Sequence, residues 1–154
     1  MVDAVRRPGQ IPVYSYDPEQ ITRWIQEHTE YEEVCCVVSG DLGFYSGAKA
    51  LLAELGRQGF QPRLIPGISS LSCFFAKIGM SWEDATIASC HGREENIPAM
   101  VRQRKKVFVL LGQTDGVSRL ARSLTKAGLG ECRIYVGENL SYADETVFQG
   151  MQGS

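Results

Sequence analysis

The sequence predicts an α/β fold built on a largely parallel sheet. Short apolar runs alternate with helical patterns of about ten residues, as strands and helices do in parallel sheets. Residues 34–38 form a continuous run of valine and cysteine, which is typical of a strand covered on both faces. Two runs end on glycine- and serine-containing turns, and open parallel sheets bind ligands at such strand ends.

The first half of the chain is predicted to contain three strand–helix units. Pro18 suits the first turn of a helix, and Ile21, Trp24 and Ile25 recur with the spacing of one helical face. The predicted strands are residues 11–16, 34–38 and 63–65, and the predicted helices are residues 19–30, 46–56 and 69–78.

The second half continues this alternation. Gly128 follows an amphipathic helical run and is expected to cap its C-terminus. The predicted strands are residues 85–89, 106–111, 133–137 and 145–148, and the predicted helices are residues 98–104 and 117–127.

The composition narrows the range of functions. A net charge of −2 gives no basic field for nucleic acid or a membrane surface. Five cysteines and two histidines argue against a disulfide scaffold and a zinc site, so we expect no metal. Cys35 and Cys36 are expected to be buried in their strand. The sequence shows neither a membrane-spanning run nor a signal peptide, so we expect a cytoplasmic protein.

The first glycine-rich turn is Gly40-Asp41-Leu42-Gly43-Phe44-Tyr45-Ser46-Gly47. Its glycines let a ligand approach the backbone, and the free N–H groups of the following helix favour electron-rich ligand atoms. The turn is neither a phosphate-binding P-loop nor a dinucleotide fingerprint. Asp41 either caps the helix or places a carboxylate near a positively charged ligand group.

The second turn is Ile65-Pro66-Gly67-Ile68-Ser69-Ser70. Pro66 restricts Ile65 to an extended conformation. Ser69 and Ser70 either cap the next helix or bind the carboxylate or ribose of a ligand. Together the two turns predict one bipartite ligand site.

Five segments, taken together and in order, resemble the tetrapyrrole methylase family. They are Ser-Gly-Asp-x-Gly-Phe-Tyr-Ser at 39–46, Ile-Pro-Gly-Ile-Ser-Ser-Leu-Ser at 65–72, Trp-Glu-Asp-Ala at 82–85, His-Gly-Arg at 91–93 and Gly-Glu-Asn-Leu-Ser-Tyr at 137–142. Within the family they are most similar to the cobalamin-pathway branch that methylates C5 of a precorrin (precorrin-6Y or cobalt-precorrin-7).

The resemblance implies two α/β lobes and a homodimer. Residues 1–80 would form an N-terminal lobe with a mostly parallel sheet, and residues 81–154 a second, mixed α/β lobe. S-adenosylmethionine would bind in the cleft between the lobes. The family pattern places cofactor contacts at Gly40, Asp41, Phe44, Ser69, Ser70, Leu111 and Asn139, with Leu140 beside the last.

Three further residues are candidates for the substrate side. His91 is expected to accept the proton that the methylated carbon loses, or else to be a loop histidine bonded to backbone. Arg93 is expected to bind precorrin carboxylates, or to pair with Glu94 or Glu95. Tyr45 would line the macrocycle pocket, or else only pack at the helix start.

The chain departs from the family pattern at two points. Leu42 stands where the family usually has proline, and Pro8-Gly9 follows two arginines rather than an apolar strand. We therefore expect the family's first strand–helix unit, with its glycine-rich loop, to be missing. The alternatives are a non-catalytic fragment of such an enzyme, a methyltransferase for another precorrin carbon, or a dinucleotide oxidoreductase.

Overall fold

The computed structural model describes residues 2–90, 95–112 and 115–151. The chain divides into two compact units, Met1–Ser69 and Ser70–Ser154, and each is described by itself. The predicted lobe boundary between residues 80 and 81 stays a prediction.

The first unit contains three helices within its described residues. They are α1 (Val2–Val5), α2 (Pro18–Glu27) and α3 (Ala48–Arg57). Helix α2 begins where the sequence predicts because Asp17 and Pro18 together form its start. The Asp17 carboxylate accepts hydrogen bonds from the Glu19 N–H at 2.9 Å and the Gln20 N–H at 3.4 Å. These bonds satisfy N–H groups that have no partner inside the helix.

Helices α2 and α3 pack against each other. Thr22 of α2 is buried, and its hydroxyl is satisfied because it donates to the carbonyls of Pro18 and Glu19 within the same helix. Leu51 and Leu55 form the buried face of α3. Their spacing of four residues places them one above the other on that face.

The three strands predicted for this half are wrong. Residues 11–16, 34–38 and 63–65 lie outside both sheets, so the described residues of the first unit form no parallel sheet. Cys35 and Cys36, which we expected to be buried, are exposed. The apolar pattern reports only a local preference, whereas a strand exists only when a neighbouring strand pairs with its backbone.

We expect Asp17→Ala to destabilise the first unit by about 1 kcal/mol, because it removes the helix N-cap. Asp115 is the matched control, since it occupies the N-cap position of another helix without a side-chain cap bond. Asp115→Ala should shift stability by less than about 0.5 kcal/mol. Urea unfolding followed by circular dichroism measures both variants. Equal losses would contradict the capping role of Asp17.

The second unit confirms the α/β class. It contains α4 (Ser70–Lys77), β1 (Thr86–Ser89), α5 (Ile97–Gln103), β2 (Val107–Leu110), α6 (Gly116–Lys126), β3 (Arg133–Glu138) and β4 (Thr146–Met151). Strands β1 and β2 pair in parallel from Thr86↔Val107 to Ser89↔Leu110. Helix α5 connects them, as parallel pairing requires. Strands β3 and β4 pair antiparallel from Arg133↔Met151 to Glu138↔Thr146.

An aromatic cluster forms the core of the second unit. Phe74 and Phe75 of α4 meet Phe108 of β2, with 6.1 Å between the ring centroids of each pair. All three side chains are buried. Gly137 of β3 lies against this cluster, because a Cβ there would be 2.6 Å from Cδ2 of Phe74. Glycine therefore allows β3 to approach α4 closely.

Candidate functional site

The two predicted ligand-binding turns touch each other in the first unit. Gly40 adopts φ +74°, which favours glycine. A Cβ at Gly67 would overlap the carbonyl oxygen of Gly40, and a Cβ at Gly40 would lie 3.8 Å from the carbonyl oxygen of Ile68. The structure thus brings the two turns into backbone contact, and only glycine fits at position 67.

Asp41 closes its own turn rather than capping a helix. Its Oδ1 atom accepts a hydrogen bond from the Gly43 N–H at 2.8 Å, and its carbonyl accepts one from the Phe44 N–H at 3.3 Å. Helix α3 begins at Ala48, whose N–H donates to the Ser46 hydroxyl at 3.2 Å. The helix-cap interpretation of Asp41 is therefore wrong. Its carboxylate instead stabilises the glycine-rich turn.

Phe44 and Tyr45 follow in the same turn. Their rings meet edge to face with 5.1 Å between centroids. Tyr45 has φ +47° and leaves 48% of its surface exposed. A non-glycine residue in this region is strained, and such strain is concentrated at functional sites. Ser69, at the end of the second turn, is buried.

The second unit contains an open cavity of about 940 Å³. Three residues of the predicted cofactor pattern line it: Ser70 at the start of α4, Leu111 directly after β2 and Leu140 after β3. The aromatic rings of Phe74 and Phe108 form part of the cavity wall. Small-molecule pockets have this size and this mainly apolar lining.

Asn139 lies beside the cavity lining, in the loop between β3 and β4. Its φ is +49°, and its Nδ2 atom donates to Oδ2 of Asp144 at 2.7 Å. The side-chain amide is thus used to close the loop. Direct contact of Asn139 with a ligand stays a prediction.

Ion pairs at two places in the second unit shift pKa values. The hydrogen bond from Lys77 lowers the pKa of Glu145, with a smaller contribution from the Ser141 N–H, and the same pair raises the pKa of Lys77. The Lys106 ammonium lies 2.5 Å from Oδ1 of Asp84 and lowers the pKa of that carboxyl. These pKa shifts favour the charged forms of Glu145, Lys77 and Asp84.

Two predicted site residues, His91 and Arg93, lie outside the described residues. Within the described ranges, no group of three or more histidine, cysteine, aspartate or glutamate side chains is arranged to hold a metal ion. None of the helices in the described part of the chain has the length and apolar character that crossing a bilayer requires.

The sequence model of the family described as Tetrapyrrole (Corrin/Porphyrin) Methylases matches residues 7–153. The chain belongs to the tetrapyrrole methylase family. The match covers both contacting turns and the cavity-lining residues, and it confirms the resemblance on which the site prediction depends. Members of the family generally use S-adenosylmethionine.

The chain is similar to methyltransferases of cobalt-precorrin-7 and precorrin-6Y. The chain is 31% identical over 124 residues to the cobalt-precorrin-7 C(5)-methyltransferase of Salmonella typhimurium, covering 80% of this chain and 60% of that protein. It is 30% identical over 125 residues to the probable cobalt-precorrin-7 C(5)-methyltransferase of Methanocaldococcus jannaschii, covering 79% of this chain and 57% of that protein. A decarboxylating precorrin-6Y C(5,15)-methyltransferase of Sinorhizobium sp is 30% identical over 115 residues, which are 74% of this chain and 27% of that protein. The chain thus spans about three fifths of the length of the first two relatives.

Each unit, taken by itself, contains groups that suit one part of S-adenosylmethionine. In the first unit, Asp41 offers a carboxylate on a glycine-rich turn, which suits a cationic sulfonium or amino group. In the second unit, the apolar cavity is large enough for an adenosyl group.

Sequence reasoning missed three features of these sites. Gly67 is required by the contact between the turns, and its only local signal is the Pro66-Gly67 pair. Phe74 is part of the cavity wall as well as of the core, and the apolar face of α4 is the sequence signal that could have indicated it. The pairing of Lys77 with Glu145 has no signal in the sequence, because the two residues are far apart along the chain.

Proposed function

We propose that this chain is an S-adenosylmethionine-dependent methyltransferase that acts on C5 of a precorrin in cobalamin biosynthesis. The similarity to a cobalt-precorrin-7 C(5)-methyltransferase over 80% of the chain carries the proposal. The contact between the two turns and the lined cavity support it, because both involve residues of the predicted cofactor pattern.

S-adenosylmethionine supplies an electrophilic methyl group on a positively charged sulfur. In the first unit, Gly40 and Gly43 keep the turn open to backbone contact, and Asp41 contributes negative charge. In the second unit, Ser70, Leu111 and the neighbouring apolar wall accept the adenosyl group and exclude water. The protein thus supplies orientation and electrostatics rather than a covalent nucleophile.

The substrate side of the proposal depends on three residues. The Arg93 guanidinium would bind precorrin carboxylates in paired hydrogen bonds. The His91 imidazole would act as the base that takes the proton released from C5. The exposed Tyr45 ring would lie along the macrocycle.

We also propose that the chain forms a homodimer in the cytoplasm. All five cysteines are free thiols, as expected in a reducing compartment. The first unit exposes large apolar side chains, including Ile11, Val34 and Ile65, and such surface favours association. Light scattering after size-exclusion chromatography would give the mass in solution.

A second candidate function is ligand binding without methyl transfer. The exposed apolar segments around Val34 and Leu64 favour it, because residues 34–38 and 63–65 have no pairing strand within the described part of the chain. Such a protein would fold and bind a partner or the cofactor but would yield no product.

The deciding experiment incubates the protein with methyl-labelled S-adenosylmethionine and cobalt-precorrin-7. We expect a labelled product that carries one additional methyl group, at C5. Cofactor binding without labelled product would favour the second candidate. Absence of cofactor binding by calorimetry would contradict the proposed activity.

Two substitutions of Asp41 distinguish the effect of its negative charge on binding from its role in closing the turn. Asn keeps an oxygen that can accept the Gly43 N–H, whereas Ala removes it. If the carboxylate faces the sulfonium, Asp41→Asn should weaken S-adenosylmethionine binding about tenfold and change S-adenosylhomocysteine binding less, since that product carries a neutral sulfur. Asp41→Ala should weaken the binding of both ligands, because the turn loses the hydrogen bond from the Gly43 N–H that closes it.

Calorimetric titration of both ligands measures these effects. An equal loss for both ligands in Asp41→Asn would place the carboxylate near the amino group instead. Unchanged affinity in both Asp41 variants would exclude Asp41 from the cofactor site.

A further inference from the structure

The loop between β3 and β4 contains two non-glycine residues in the left-handed region. Asn139 has φ +49° and Ser141 has φ +71°. L-residues rarely adopt this conformation because their Cβ atoms crowd the backbone, so other contacts must hold it. Leu140, between these two residues, lines the cavity. The conformation of the loop therefore determines where this part of the cavity wall lies.

Glu145 joins this loop to helix α4 through its two carboxylate oxygens. Its Oε2 atom accepts a hydrogen bond from the Ser141 N–H at 2.6 Å, and its Oε1 atom accepts one from the Lys77 ammonium at 2.6 Å. Two backbone hydrogen bonds close the same turn, from the Tyr142 N–H to the Asn139 carbonyl at 3.0 Å and from the Glu145 N–H to the Tyr142 carbonyl at 3.2 Å. One carboxylate thus joins the strained residue to a helix.

That helix gives the loop a fixed anchor. Lys77 is the last residue of α4, which is held in the core by the buried side chains of Leu71, Phe74 and Phe75. The side chains of Lys77 and Glu145 are 36% and 23% exposed, so the pair is partly shielded from water. Each partner shifts the pKa of the other in the direction that keeps both charged.

We propose that Glu145 is a positioning residue that sets the affinity of the cavity by holding Leu140 in its wall. Glu145 is not among the described residues that line the cavity, so it would act through the loop rather than by contact with a ligand. The inference rests on the proposed function, in which the cavity takes the adenosyl group of S-adenosylmethionine.

Three variants test the proposal with S-adenosylhomocysteine as the probe in calorimetry. Glu145→Ala removes both hydrogen bonds and should weaken binding about tenfold. Glu145→Gln can still accept the Ser141 N–H but loses the charged bond to Lys77, so we expect a loss of about threefold. The matched control, Glu131→Gln, changes an exposed carboxylate of the same unit and should leave binding unchanged.

A double variant distinguishes positioning from general stabilisation. Glycine adopts a positive φ without strain, so Ser141→Gly reduces the need for Glu145 to hold the loop. Ser141→Gly in the Glu145→Ala background should therefore recover part of the lost affinity. A purely structural role for Glu145 predicts no recovery.

Hydrogen exchange at the Ser141 amide gives a readout that requires no ligand. Loss of its acceptor in Glu145→Ala should speed exchange there, while the Phe108 amide in β2 stays protected. If the unaltered protein binds the probe and both Glu145 variants bind it equally well, this inference is overturned and the proposed function stands.

If the unaltered protein does not bind the probe, the proposed function fails and the exchange experiment decides whether Glu145 holds the loop. Faster exchange at Ser141 would support that role, and unchanged exchange would overturn it. If Glu145→Ala does not fold, the same criteria apply to Glu145→Gln.

Discussion

Gly67→Ala is expected to separate the two contacting glycine-containing turns of the first unit. A Cβ at position 67 would overlap the carbonyl oxygen of Gly40, which is backbone and cannot rotate away. One turn must therefore move, and overpacking of this kind costs about 1–3 kcal/mol of folding free energy. Under the proposed function, we also expect the variant to bind S-adenosylmethionine at least about tenfold more weakly, because the backbone proposed to contact the cofactor is displaced.

Gly47→Ala is the matched control for this prediction. Gly47 ends the same glycine-rich turn with φ −61°, and a Cβ there meets no atom within 4 Å. We expect a change in stability below about 0.5 kcal/mol and unchanged affinity. Urea unfolding and calorimetric titration measure both variants. If Gly67→Ala behaves like Gly47→Ala, the turns are not in contact in solution.

Phe108→Ala is expected to produce the largest loss of stability. Phe108 is buried against Phe74 and Phe75, so removal of its ring leaves a cavity at the centre of the second unit. Phenylalanine-to-alanine changes in cores cost about 3–5 kcal/mol. That loss is a large share of the total stability of a domain, which is about 5–15 kcal/mol.

Phe148→Ala provides the comparison within the same unit. Phe148 lies in β4 and leaves 59% of its surface exposed, so its truncation should cost less than about 1 kcal/mol. Equilibrium urea unfolding, with two-state behaviour checked by two probes, measures both changes. Similar losses for Phe108 and Phe148 would contradict the aromatic core.

Prediction from sequence succeeded best in the second unit. Every helix and strand predicted there begins within one residue of its observed start. The parallel pair β1–β2 is joined by α5 in the order that the alternating pattern predicts. These elements are well predicted because their apolar periods come with local start and stop signals, such as Gly128 after α6.

The candidate site was predicted in part. The sequence identified the turns at Gly40 and Gly67 as neighbours, and the structure shows them in contact. For Asp41 the sequence left two interpretations, a helix cap or a carboxylate near a positively charged ligand group. The hydrogen bond that its side chain accepts from the Gly43 N–H excludes the helix cap. The function of Asp41 in binding stays a prediction that the two Asp41 variants test, and contact of Asn139 with a ligand also stays a prediction.

The sequence by itself determined the family, through five motifs taken together. It also predicted helices α2 to α6 and the two glycine-containing turns, because periodicity, caps and turn residues act over a few positions, but it did not predict helix α1. Only the tertiary structure decided whether apolar runs become strands. Val34–Val38 has the same composition as a buried strand, yet no neighbour pairs with it in the described residues. The tertiary structure also decided that Glu145 pairs with Lys77 and accepts a hydrogen bond from the Ser141 N–H. Strand pairing and such contacts join residues distant in the chain, and a local pattern carries no information about which distant residues meet.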